Sequence, residues 1–354
     1  NIGATNPLAN VSFNGAGAIT VPGTARSAVF NVGNSGAVVT AAGAITGNVA
    51  YTQSGTFNAN NGLTGNIDFA GNNGTFNLAG GQTITGNVDN SIVGSNGSLI
   101  FLGNISSVTG NIGATNPLAN VSFNGAGAVT VPGTARSAVF NVGNSGAIVT
   151  ATGLMTGTVN YTADGTLTAN GGITGAVTTN TNNTGTLNLV GPVTGAVGAS
   201  GLALKAVKFN AGASALSSTA NAQTFTVASA TAAVTATGLM TGVVEYTAAG
   251  SITANGGVTG NVDFAGNNGT LAINGGILTG NIISSTASNG TINVSNSTIN
   301  GNIGDATNKI ISVNFANNNL VTGDVYTNAI NIASGAKASF SSNNPRTIAV
   351  PSTI

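Results

Sequence analysis

The sequence contains no cysteine, no histidine and no tryptophan. Without cysteine there is neither a disulfide framework nor a thiolate metal site. Without histidine or cysteine no Ser-His-Asp or Cys-His nucleophile can be assembled, so enzyme activity would rest on scattered carboxylates and none is expected. Nothing in the sequence calls for a cofactor. Charge is almost missing too: seven Lys or Arg and seven Asp or Glu in 354 residues leave a formal net charge of zero. No basic patch is available to release counterions from a phosphate backbone, which argues against a nucleic-acid partner. No apolar run approaches the ~18 residues of a membrane-spanning helix. No basic stretch followed by an apolar core opens the chain, so no signal peptide is read. Asn1 falls inside a motif that is complete elsewhere, and the sequence therefore reads as a piece of a longer protein.

What is present is glycine, 54 residues of it, together with asparagine, threonine and a hydrophobic content of 41%. That apolar content is too high for a disordered chain. Its arrangement is repetitive. The block NIGATNPLANVSFNGAGAITVPGTARSAVFNVGNSGA opens at Asn1 and returns almost unchanged at Asn111; a diverged copy starts near Ala196 and a weaker one at Asn302. Inside these long repeats runs a short one, T-G-x-(Ile/Val), marked by Thr46, Thr64, Thr85, Thr109, Thr156, Thr174, Thr194, Thr241, Thr259, Thr279 and Thr322, with Asn300 replacing Thr in one further copy between the last two. Successive markers are 18 to 24 residues apart except for two gaps of 47, each read as two units whose marker has drifted. A period near 20 residues is that of a solenoid.

Each unit alternates apolar and polar residues over three to five positions and is punctuated by Gly and Asn, the pattern of short strands joined by turns. No stretch holds a 3.6-residue period. The expected fold is all-β: a right-handed parallel β-helix (β-solenoid) of about 16–17 rungs of 18–24 residues, with residues 1–354 forming a single solenoid. Two aliphatic ladders are predicted, one from the residue before each marker Thr (Ile45, Leu63, Ile84, Val108, Met155, Ile173) and one three residues after it (Val49, Ile67, Val88, Ile112, Val159, Val177). The Thr-Gly pair between them makes a corner, with Gly required by a narrow interior. Asn48, Asn66, Asn87 and Asn111 follow the markers and are expected to stack like on like.

The residues able to carry chemistry are few. Asp68 and Asp89 fall at the same place in consecutive units, so stacked carboxylates could hold Ca²⁺; the alternative is a solvated outer face. Glu245 and Asp263 form a second such pair. Arg26 and Arg136 recur within PGTARSAVF and are read either as a surface contact for a sugar or receptor or as guanidinium groups bonding turn carbonyls. Tyr51, Tyr161 and Tyr246 are equivalent by repeat and are expected on the outside of adjacent strands. Thr166 and Thr168 suggest a flat water-ordering array, but their matching positions, Thr56 and Asn58, break it.

The phrases VTGNIGATNPLANVSFNGAGAVTVPGTA and TGNVDFAGNNGTLAINGG resemble the passenger regions of rickettsial surface cell antigens, the outer membrane protein A and B group of autotransporters. The resemblance implies an extracellular passenger domain at the bacterial outer-membrane surface, tethered through a C-terminal barrel that this sequence does not include. It implies adhesion to a host-cell surface protein or glycan, or a surface coat; read from the residues themselves, the alternatives are self-association into a surface layer or filament through the strand edges at the solenoid ends, and a polysaccharide-lyase-like enzyme on Asp68 and Asp89. No binding residue of the family maps onto a motif here.

Overall fold

A computed structural model describes residues 1–286, 288–341 and 348–349. Among these residues there is no helix, and every strand-to-strand ladder is parallel. Contacts divide the chain into two compact units, Asn1–Asn180 and Thr181–Ile354. Each is a parallel β-solenoid, as the 20-residue period predicted.

In the first unit every turn lays one strand segment on each of three faces. Face A stacks 25–26, 45–46, Leu63–Thr64, Thr83–Thr85, Ser106–Val108, Gly127–Val131, Ala147–Ala151 and Thr166–Ala169. Face B stacks Leu8–Phe13, 29–32, 48–51, Ile67–Asp68 and Val88–Asp89, then passes through Ile112 to 135–136, 155–156 and Ile173–Thr174. Face C stacks Gly17–Val21, Ala37–Ala41, Thr56–Ala59, Thr75–Leu78, Ser98–Phe101, Leu118–Phe123, 139–142, 158–161 and Val177–Thr179. Parallel strands lie about 4.8 Å apart, so each segment finds its hydrogen-bond partners only in the rungs on either side. No rung of this size would fold alone.

Along most of the strands alternate residues point inward and are buried. On face C the inner column Val39, Phe57, Phe76, Leu99, Val121, Phe140, Val159 is closed to solvent. Stacked rings add to it: Phe57 and Phe76 lie parallel with centroids 5.5 Å apart, and Phe101 stacks on Phe123 at 5.3 Å.

The ladders do not keep to one face. Val49, Ile67, Val88 and Ile112 line face B, whereas Val159 and Val177 line face C. Ile45, Leu63, Ile84 and Val108 line face A, whereas Met155 and Ile173 line face B. The 47-residue gap between Thr109 and Thr156 does hold two turns, and the drift of its marker is a step to the next face. Two full turns carry Val108 through Val131 to Ala151, and four further residues carry the chain to the next face at Met155. The long repeat inherits this offset. Phe123 sits five turns along from Val21, through Ala41, Ala59, Leu78 and Phe101, and not above its sequence equivalent Phe13. LANVSF thus lies on face B at 8–13 and on face C at 118–123. The second unit repeats the arrangement: Phe315 of IISVNF lies five turns from Leu216 and not in the column of Phe209.

The three tyrosines are inside, against expectation. Tyr51, Tyr161 and Tyr246 have no exposed surface. The Tyr51 ring stacks on Phe69 at 4.7 Å and its hydroxyl donates to the Thr75 carbonyl at 2.8 Å. Tyr246 makes the same pair of contacts with Phe264 and the Thr270 carbonyl. Room for these rings comes from glycine: a Cβ on Gly74 would strike the Tyr51 ring, and one on Gly269 the Tyr246 ring. Burial lifts all three phenols above the usual tyrosine range.

Candidate functional site

The corners decide what the outer side chains can do. At the Thr-Gly corners of three consecutive rungs the glycine has a large positive φ, +135° at Gly47, +149° at Gly65 and +153° at Gly86. A Cβ on Gly65 would hit the Gly47 carbonyl, and one on Gly86 the Gly65 carbonyl. Glycine is required here by the backbone of the adjacent rung, not by a narrow interior. The Asn that follows completes the corner. Asn48 Oδ1 accepts the backbone N–H of Asn66 at 2.9 Å, Asn66 Oδ1 that of Asn87 at 2.8 Å, and Asn87 Oδ1 that of Asn111 at 2.8 Å. In the second unit Asn261, Asn281 and Asn302 do the same for the next rung. These side chains bond backbone rather than each other. Like-on-like amide ladders exist elsewhere on the strands, as at Asn77 to Asn58 (2.8 Å) and Asn141 to Asn120 (2.7 Å).

Asp68 and Asp89 are brought side by side in register, as the repeat predicted. Their oxygens serve neighbouring turns. Asp68 Oδ1 accepts the N–H groups of Ala70 and Ser91 at 2.8 and 2.9 Å. Asp89 accepts the N–H of Asn90 at 2.9 Å, and both the N–H and the hydroxyl of Thr115, the latter at 2.6 Å. Asp263 accepts Ala265 and Ser285 N–H groups in the same way. No group of three His, Cys, Asp or Glu that could hold a metal occurs among the described residues. This arrangement ties successive rungs together and leaves no cluster of carboxylates facing a common point.

Arg26 and Arg136 are not one surface. Arg26 lies on face A and Arg136 on face B. Arg26 is exposed. Arg136 is half-buried and donates from Nη1 to the carbonyls of Ala114 and Thr115, at 3.0 and 3.4 Å. The loop at 113–117 is thus held from one side by the Asp89 carboxylate and from the other by the Arg136 guanidinium. Thr115 joins the two, a role sequence reasoning missed; the signal was the spacing of Asp89, Thr115 and Arg136 at one per rung.

Thr166 and Thr168 stack on Ile148 and Thr150 of face A, not on Thr56 and Asn58, which belong to face C. The face shift hides this from any alignment of the short repeat. Asn90, fully buried, accepts the Gly71 N–H at 2.7 Å and donates to the Gly94 carbonyl at 2.9 Å. Ser284 follows Ile283 as Asn90 follows Asp89, and its buried hydroxyl has no partner. Compared with protein-family models, with curated proteins and with solved structures, the chain matches none.

Proposed function

We propose that the chain belongs to the passenger of a bacterial autotransporter, an extracellular scaffold at the outer-membrane surface that presents a repeated surface for host-cell adhesion. The observation that supports this reading is the use of its polar side chains: Asp68, Asp89, Arg136 and the corner asparagines all hold neighbouring rungs together. Polar chemistry is directed at shape, and the same outer residues reappear one face further round with each long repeat. Repeated weak contacts raise affinity when several engage together. The test is binding of the purified protein to cultured host cells, beside a variant whose outward residues are scrambled while the Val and Ile ladders are kept. Saturable binding that the variant loses supports adhesion. Absence of binding, with ordered arrays of the protein in electron microscopy, would replace adhesion by a surface-layer role.

A further inference from the structure

Face A of the first unit carries an outward row of hydroxyls in register: Thr83 opposite Ser107, Ser107 opposite Thr130, and Thr130 opposite Thr150. Four such positions span about 14 Å at the strand spacing. Along the first three the surface is a groove of about 490 Å³ whose floor is this row and whose rims include Ile105 and Pro132. The volume lies within the range of small-ligand sites. None of the lining residues is charged. Ile105 is peculiar: a β-branched residue at φ +53°, a conformation such residues rarely adopt, with 72% of its surface exposed. Its side chain gains little from packing, and strain of this kind collects at ligand sites.

We propose that this groove binds a neutral, linear glycan lying parallel to the solenoid axis. This names the ligand class for the adhesive reading above and rests on it. Hydroxyls both donate and accept, as sugar hydroxyls do, so each rung can exchange bonds with one sugar. Thr83 and Ser107 already share one hydrogen bond at 3.0 Å, which fixes their rotamers and leaves each oxygen further capacity. The row repeats at the strand spacing, close to the advance per sugar of an extended glycan. The lack of charge selects against sulfated or uronic-acid chains, whose anionic groups would lose hydration with no cation to meet them. Ile105 and Pro132 face the apolar C–H edges of the sugar rings.

The experiment titrates the full chain with cellohexaose, laminarihexaose, chitohexaose and a heparin hexasaccharide, followed by calorimetry and by NMR of the threonine methyls. At least one neutral hexasaccharide binds, its disaccharide binds more weakly, and the heparin fragment does not bind. Thr130→Val keeps the shape and removes one hydroxyl, and weakens binding about tenfold. Ile105→Gly suits the backbone conformation, so it leaves stability unchanged or raised, and it weakens binding by a similar factor. Failure of all three neutral hexasaccharides, preference for the heparin fragment, or binding indifferent to both variants overturns the proposal. If the wild-type protein still adheres to cells in that case, only the glycan groove is lost; if adhesion also fails, the adhesive reading goes with it.

Discussion

Replacing a corner glycine by alanine isolates the force that shapes each rung. Three glycines form a graded series. Gly15 has ordinary backbone and open space around it; Gly81 has φ +76° and open space; Gly65 has φ +149°, and a Cβ there meets the Gly47 carbonyl. Gly15→Ala removes only unfolded-state freedom and should stabilise by about 0.4–1 kcal/mol. Gly81→Ala adds left-handed strain and should cost about 1–2 kcal/mol. Gly65→Ala adds a clash with backbone that cannot rotate away. Strain and overpacking together should cost about 2–5 kcal/mol. Urea titration followed by circular dichroism gives the order. Solenoid stability is largely local, so hydrogen exchange at Ile67 and Val88 should report the loss at Gly65 more sharply than global melting does. If Gly65→Ala unfolds together with Gly15→Ala, rung-to-rung backbone contact does not dictate the corner and the reasoning fails.

Four further outcomes are expected. Arg136→Ala should lower stability by about 1–2 kcal/mol by freeing two carbonyls, while Arg26→Ala is silent, a contrast readable in paired melts. Ser284→Asn supplies the amide that Asn90 supplies in the first unit and should raise stability by about 1 kcal/mol in denaturant titration. The neutral phenols of Tyr51, Tyr161 and Tyr246 are favoured by the fold above their usual pKa of 10.0. Above that pH the unfolded chain ionises and the folded one does not, so stability is constant below it and falls as pH rises beyond it; tyrosinate absorbance should appear together with unfolding. Calcium should leave the melting temperature unmoved, because the Asp68 and Asp89 oxygens are engaged with turn N–H groups and Thr115; a rise of several degrees at millimolar calcium would contradict this.

The fold class was legible because both of its signals are local. A 20-residue period and two-residue alternation are visible at every marker, and Leu63, Ile84 and Val108 stack as their spacing implies. Phase was not legible. Marker spacing measures residues, whereas a face is gained when a turn takes up a few extra residues, and the step from Ala151 to Met155 looks like drift until the ladders are traced. The tyrosines misled for a related reason. A 20-residue rung has little room for a large ring, and the space at Tyr51 is made by Gly74, 23 residues later on the next rung. Asp68 and Asp89 were correctly paired, but the spacing alone did not reveal that turn N–H groups would occupy them.

The long repeat advances by one face, and in a protein without cysteine cross-linking tests this advance directly. Ser98 on face C lies in register with Asn120. If the repeats stacked in phase, Ser98 would instead neighbour Ala128, the repeat equivalent of Ala18, which heads the column Ala18, Val38, Thr56, Thr75, Ser98. Adjacent parallel strands bring Cα atoms to about 4.8 Å, within disulfide range. The protein carrying Ser98→Cys and Asn120→Cys should close a disulfide under mild oxidation, and that carrying Ser98→Cys and Ala128→Cys should not. Closure of the second pair and not the first would show that the repeats stack in phase and that the faces described above are wrong.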